Sequence, residues 1–263
     1  MVVNSQNIRG NNFSWNSTVN LSINRNKIVS LYGDLDENGK EVDDFTNQWF
    51  IGQDINAVWD YEITGVYKTT QAAEADAYGV FPGDFILNDV NGDGVYTRDD
   101  KKFLGYSTPR ARWTFVNNVT LYKNLTISVE MYSQMGQLTT FNDAKNRNGF
   151  IDRTSSLVTP YWTEDNQIDD WARLFSSDGG VAFNVYRNSS FVRIQNVTVS
   201  YNIPQAILDR VKVKALRVYG NIRNLAVIAP DWEVFDPEAR DVDGSDGRGP
   251  TPRYFTLGLN LSL

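Results

Sequence analysis

Arg253-Tyr-Phe-Thr-Leu-Gly-Leu-Asn-Leu-Ser-Leu263 closes the chain, and its two-residue period decides the fold. Read as a strand, Phe255, Leu257, Leu259, Leu261 and Leu263 share one face, and Tyr254, Thr256, Gly258, Asn260 and Ser262 share the other. Successive strand side chains point to opposite sides of a sheet, so one face is wholly apolar and the other is polar. A sheet packed on a soluble core gives this pattern. A strand in lipid gives it too, because about 9–11 residues span the hydrocarbon with apolar side chains outward. The alternation runs to the last residue with no charged tail, which favours lipid, since the end of a soluble domain normally frays.

The same pattern recurs upstream. In Phe13-Ser-Trp-Asn-Ser-Thr-Val-Asn-Leu-Ser-Ile23, the residues Phe13, Trp15, Val19, Leu21 and Ile23 fall on one side, and the strand is expected to continue toward Leu31. Trp113, Phe115, Val119 and Leu121 lead through a tight turn at 122–124 to Leu125, Ile127, Val129 and Met131. Val197, Val199, Tyr201 and Ile203 alternate, while Val192 and Ile194 are out of phase with them, which predicts a bulge near Gln195–Asn196. Leu216, Val218 and Ile222 mark a further strand. These make six long strands. Their connections alternate between long (32–110, 138–190, 226–252) and short (122–124, 204–212). Loops beyond about 12–15 residues are uncommon in compact soluble domains, whereas long loops on one side and short turns on the other are what outer-membrane barrels show. Within the long connections, a helix is expected from Thr70 to Ala77 with Thr70 as its cap, another around 167–175, and short strands at Trp49–Ile51 and Val58–Ile63. With the C-terminus at the periplasmic side, Phe13, Trp15, Tyr122 and Tyr201 would form one aromatic girdle, and Trp113, Phe115, Tyr132, Phe191 and Phe255 the other.

Bulk properties exclude several functions. No apolar run approaches the roughly 18 residues of a membrane helix, although a β-barrel escapes that test because alternation halves its apparent hydropathy. A net charge of −7 and a pI near 4.7 argue against a nucleic-acid partner. The chain has no cysteine and no histidine, so it has no disulfide, no thiolate metal site and no Ser-His-Asp arrangement. No pair of carboxylates is marked as an acid–base couple, and no enzyme is expected. Residues 1–10 lack a charged stretch followed by an apolar one, so no signal peptide is read there. A membrane barrel of about six strands falls below the minimum of about 8, so the chain is read as an incomplete barrel, part of something longer.

Asp89-Val-Asn-Gly-Asp-Gly-Val-Tyr-Thr-Arg-Asp-Asp100 has the spacing of a calcium loop. Asp89, Asn91 and Asp93 stand at the side-chain ligand positions, Gly94 at the sharp turn, Val95 at the carbonyl position, and Asp100 where a longer Glu is usual. An Asx turn held by its own hydrogen bonds explains the same residues. Trp49, Trp59, Trp162, Trp171 and Trp232 in the long connections are read either as sugar-stacking or lid-anchoring groups or as the packing of the loops themselves. Glu130, Arg217 and Arg223 on the polar faces line a substrate path or form a salt-bridged wall.

Several segments resemble the C-terminal region of SusC/RagA-type TonB-dependent outer-membrane transporters of Bacteroidota. They are Asp89–Gly94 with Leu104-Gly-Tyr-Ser-Thr-Pro109, Ser190-Phe-Val-Arg-Ile-Gln-Asn-Val-Thr-Val-Ser-Tyr-Asn-Ile-Pro204, Leu216-Arg-Val-Tyr-Gly-Asn-Ile-Arg-Asn-Leu225, Phe235-Asp-Pro-Glu238 and the closing strand. The resemblance spans nearly the whole chain. It implies an all-β fold, an antiparallel transmembrane β-barrel of about 22 strands of which residues 1–263 hold the last ones, with a plug domain and a TonB-contacting segment upstream. It implies import of glycans or peptides across the outer membrane, with a SusD-like surface lipoprotein as lid. It also implies that Phe255, Leu257, Leu259, Leu261 and Leu263 form the assembly signal; the family usually ends in Phe, where this chain has Leu263. The competing expectations are a soluble secreted all-β module with a calcium loop, binding glycans or acting as an adhesin, and an inactive truncated fragment.

Overall fold

The computed structural model describes residues 1–146, 160–232, 236–239 and 251–263. In chain order the elements are β1 (Val2–Arg9), β2 (Phe13–Ile23), β3 (Ala57–Tyr61), β4 (Ile63–Val66), α1 (Ala72–Ala77), β5 (Phe85–Leu87) and β6 (Lys101–Tyr106). They continue with β7 (Ala111–Leu121), β8 (Leu125–Met135), β9 (Leu138–Thr140), β10 (Tyr186–Asn188), β11 (Phe191–Asn202), α2 (Gln205–Val211), β12 (Ala215–Ile228) and β13 (Tyr254–Ser262). Two compact units result. One holds residues 1–24, 109–136 and 189–263; the other holds 25–108 and 137–188.

The first unit is one antiparallel sheet in the order β1-β2-β7-β8-β11-β12-β13. All six strands read from alternation are present, and β1 adds a seventh. The strand expected to run from Phe13 toward Leu31 ends at Ile23. Register keeps the apolar residues in rows: Trp15 opposes Val119, Val119 opposes Ile127, Ile127 opposes Val199, and Leu259 opposes Val218. The opposite face carries Asn118, Ser128, Thr198, Asn221 and Thr256 in the same way. The predicted bulge is where the phase change put it, since β11 shifts register between Ile194 and Asn196 against both neighbours.

The short connections 10–12, 122–124 and 203–214 join strands at one end of this sheet, and the long connections leave from the other. In the turn after β7, Tyr122 and Lys123 both take positive φ, at 50° and 65°. Two left-handed residues in succession match the right-handed twist of a hairpin, a conformation that Asn-Gly adopts more cheaply. A polar island on the apolar face is internally satisfied. Asn117 Oδ1 accepts from Trp15 Nε1 at 2.9 Å and from the Ser17 hydroxyl at 2.8 Å, and Ser17 accepts from Asn7 Nδ2 at 2.7 Å. Two aromatics expected in the outer girdle stand elsewhere. Register places Tyr132 and Phe191 on the polar face, where their rings meet edge to face at 5.7 Å.

The second unit is built from the two long insertions, and side chains from one bind the other. Arg173 clamps the fully buried Asp84 through Nε at 2.9 Å and Nη2 at 3.3 Å. Gly83 (φ +90°) lets that strap pass, because a Cβ there would lie 2.7 Å from both Arg173 Cβ and the Trp162 ring. Lys68 reaches Asp169 at 2.5 Å, and Asn184 Nδ2 reaches Asp60 at 3.1 Å. Phe50 packs on Trp59 and Phe103 at 4.9 and 5.0 Å, and Tyr67, Ala75 and Val80 form a second small core. The helix expected at 70–77 is a 3-10 turn at Thr69–Gln71 followed by α1, with Gln71 rather than Thr70 at the N-cap of α1. Around 167–175 there is no helix; Trp162 and Arg173 bridge in parallel instead. Residues 205–211, read as a turn, form α2.

Candidate functional site

The most completely built polar site in the strand unit is centred on Arg193 of β11. The side chain is 2% exposed. Its Nε donates to Glu238 Oε2 at 2.8 Å, one Nη to Asp236 Oδ1 at 2.5 Å, and the other to Asn224 Oδ1. Tyr132 donates its hydroxyl to Glu238, Gln134 Nε2 lies 3.4 Å from the second Glu238 oxygen, and the Glu238 N–H donates to Asp236 at 2.9 Å. Two local features aim these groups. The β11 bulge sits beside Arg193, and Asn224 takes a left-handed φ of 58° inside β12. From there Asn224 Nδ2 donates to the carbonyls of Thr251 and Pro252 at 3.1 and 3.2 Å, and its own carbonyl accepts from Arg253 Nε at 3.3 Å. Arg193 and Asn224 thus tie both ends of the long connection after β12 to the polar face of the sheet. Burial pushes the Asp236 carboxyl up, but hydrogen bonds from Arg193, the Glu238 amide and Thr251 outweigh it and hold the group below its ordinary value. Phe235 and the acidic residues after Arg240 in this connection lie outside the described residues.

The 89–100 loop forms a single turn. Asp89 accepts the N–H groups of Gly92 and Gly94 at 2.7 and 2.8 Å, Asn91 that of Asp93 at 3.0 Å, and Asp93 that of Val95 at 2.9 Å. Asp100 is fully buried and closes the loop from its far side, accepting from the N–H groups of Val90 at 2.9 Å and Thr97 at 2.7 Å. Tyr78 donates its hydroxyl to Asp89 at 2.9 Å and stacks on Tyr96 with centroids 4.4 Å apart. That hydrogen bond, with burial, pushes the Tyr78 phenol up to about 12. The Asp89 carboxyl feels burial upward, and the amides and Tyr78 together hold it below its ordinary value. Among the described residues there is no cluster of three or more acidic, His or Cys side chains at metal-binding separations. The residues expected to ligate calcium are gathered in one loop held by its own hydrogen bonds.

Trp59, Trp162, Trp171 and Trp232 are buried and pack the long connections. Among the described residues the wall is not salt-bridged at the residues singled out for it. Glu130 accepts from Asn196 Nδ2 at 2.7 Å, and Arg217 donates to the Ser200 hydroxyl at 3.0 Å. Phe255, Leu257, Leu259 and Leu261 lie along one side of β13 and are exposed, Leu257 to 89%, with Leu263 just beyond the strand.

Compared with known proteins, the chain is 30% identical to TonB-dependent receptor P26 of Formosa agariphila, an alignment that takes in 99% of this chain. It is 26% identical to TonB-dependent receptor P3 of the same organism and 24% identical to TonB-dependent receptor SusC of Bacteroides thetaiotaomicron, again over 99% of its length. Structures of the RagAB peptide transporter, and of the RagAB peptide importer in its "closed-closed" state, superpose on all of it with TM-scores of 0.69 and 0.68 at 21% and 22% identity. Over its whole length the chain is similar to one part of these TonB-dependent receptors, and it shares the fold of the RagAB structures. No family model matches it. The chain spans about a quarter of the length of the curated relatives it matches, 25–28% of each. Its antiparallel sheet has the fold of an incomplete barrel wall.

The Arg193 anchor is the site that sequence reasoning did not identify. Its members stand in the segments that carried the resemblance, but no short-range pattern links them. The out-of-phase Val192 and Ile194 were the one signal pointing there.

Proposed function

We propose that residues 1–263 are the C-terminal wall and outer loops of an outer-membrane barrel that imports nutrients, energised through TonB by a plug domain encoded upstream. The observation that carries this reading is the sheet itself. Its seven strands have one face without a single charged residue, Leu257 stands 89% exposed on it, and every long connection leaves from one end. Such a face is unfavourable in water and favourable in hydrocarbon. The hydrogen-bonded island of Asn7, Trp15, Ser17 and Asn117 meets the demand that polar atoms at membrane depth be satisfied internally. The outer edges of β1 and β13 each have a neighbour on one side only among the described residues, as expected of strands that pair with the rest of a barrel.

In this proposal a SusD-like lipoprotein covers the mouth, the cargo is a glycan or a peptide, and Phe255, Leu257, Leu259, Leu261 and Leu263 serve as the assembly signal. The likeness to TonB-dependent receptors and to the RagAB peptide transporter supports the transporter reading. The chain itself contributes wall and loops, with Arg193 holding one loop to the wall. The test is uptake by cells carrying the full-length receptor, with and without TonB, together with membrane fractionation. TonB-dependent uptake and recovery in the outer membrane are expected. A receptor found in a soluble fraction would overturn the reading.

A further inference from the structure

The wall carries a charge balance opposite to that of the chain. The net charge is −7, yet the strands of the main sheet hold Arg9, Arg112, Arg193, Arg217 and Arg223 against Glu130 alone. Register puts all six on the polar face. Arg193 is used up by Asp236 and Glu238, and Glu130 by Asn196. Arg217 and Arg223 differ from these: both are exposed, and among the described residues neither forms an ion pair. Arg217 gives one N–H to Ser200, which leaves most of a guanidinium's donors uncommitted.

Between the two arginines, on the same side of β12, stand Tyr219 and Asn221. With Arg217, Thr198, Thr256 and Asn260 they line an open groove of about 370 Å³. Its floor depends on Gly258. A Cβ there would lie 2.4 Å from Cζ of Tyr219, so glycine is what lets the phenol ring lie down against the neighbouring strand. Six residues along a strand place the two arginine Cα atoms about 20 Å apart. That is too far for one anion to bridge, and a single carboxylate from elsewhere in the receptor would satisfy only one of them. A linear ligand with repeated anionic groups would reach both, with amide, hydroxyl and phenol groups between to meet its neutral atoms.

We propose that this face of β12 is a track for an anionic oligomeric cargo, with Arg217 and Arg223 receiving its carboxylate or sulfate groups. The inference rests on the transporter reading, since the face is a cargo path only if it lines a lumen. Guanidinium binds carboxylate and sulfate through paired charge-assisted hydrogen bonds, whereas a neutral isostere loses the charge. The test uses the purified full-length receptor and calorimetric binding of tetragalacturonate, its methyl-esterified neutral form, tetra-aspartate and tetra-asparagine. The expected result is that at least one acidic probe binds about tenfold or more tighter than its neutral counterpart; whether the sugar or the peptide does so identifies the source of the anion. Arg217→Gln with Arg223→Gln should erase that preference, and Arg217→Lys with Arg223→Lys should keep most of it at an unchanged yield of folded receptor. No acidic preference, or one that survives the double Gln variant, would overturn the proposal. Loss of TonB-dependent uptake in the unmodified receptor would instead count against the transporter reading.

Discussion

Replacing Arg193 by Gln should release the connection after β12 while leaving the sheet intact. The guanidinium is 2% exposed and bonds two carboxylates, at 2.5 Å to Asp236 and 2.8 Å to Glu238. Breaking a buried pair by removing one partner costs about 3–5 kcal/mol. The lower end applies, because Asp236 and Glu238 retain 11% and 29% side-chain exposure and recover water once the loop lifts. About 3 kcal/mol corresponds to roughly a hundredfold rise in the detached population. The reporter is amide hydrogen exchange across residues 236–239 of the full-length receptor, where the Glu238 and Ala239 N–H groups donate to the Asp236 side chain and carbonyl. Exchange there should quicken by about two orders of magnitude, with the β7–β8 hairpin unchanged. Acid should do the same. Asp236 has its carboxyl value lowered below the ordinary 3.8, so its contribution is complete above that value and is lost as pH falls through the lowered one. Exchange within twofold of the parent at neutral pH would refute the anchor.

Other perturbations read other parts of the account. Leu257→Arg puts a charge at an 89% exposed position on the apolar face and should cost about 2–4 kcal/mol near the bilayer midplane; Thr256→Arg on the polar face should cost within about 0.5 kcal/mol. Unfolding titrations of the full-length receptor in liposomes would show the difference, and equal costs would contradict the assignment of faces. Asp89→Asn should bring the Tyr78 phenol down from about 12 toward its ordinary 10, read by tyrosinate absorbance. In the parent, the Tyr78–Asp89 bond contributes fully below pH 10 and is lost as pH rises through about 12. The 89–100 loop should keep this titration in chelator, because its hydrogen bonds come from the chain itself; a collapse of the Tyr78 shift on removing calcium would show that an ion holds it.

What the sequence revealed and what it hid divide along a physical line. Period-2 alternation is local, so β13, β2, β7 and β8 could be read directly, and a phase error between Ile194 and Val197 located a bulge. β1 escaped because its own bulge between Gln6 and Ile8 breaks the phase: Val3 and Ile8 share a face only after Asn7 is set aside. The helix expected near 167–175 failed because Arg173 is drawn across to Asp84, 89 residues away, a contact that no local propensity encodes. Arg193 is the same case, with partners 43 and 45 residues downstream. Tyr132 and Phe191 were assigned to the lipid girdle as aromatics near a rim; their register, not their type, sets which face they occupy.

The central claim is that Phe255, Leu257, Leu259 and Leu261 face lipid while Thr256 and Asn260 face the lumen. These 263 residues contain no cysteine, so a single cysteine placed here reports alone once any in the rest of the receptor have been replaced by Ser. In the full-length receptor in its membrane, Leu257→Cys and Leu259→Cys should resist a water-soluble thiol reagent, and a fluorophore attached there after denaturation and refolding should be quenched by nitroxide lipids. Thr256→Cys and Asn260→Cys should react with the water-soluble reagent and escape the lipid quencher. Water-accessible thiols at 257 and 259, with no quenching from lipid, would contradict the account.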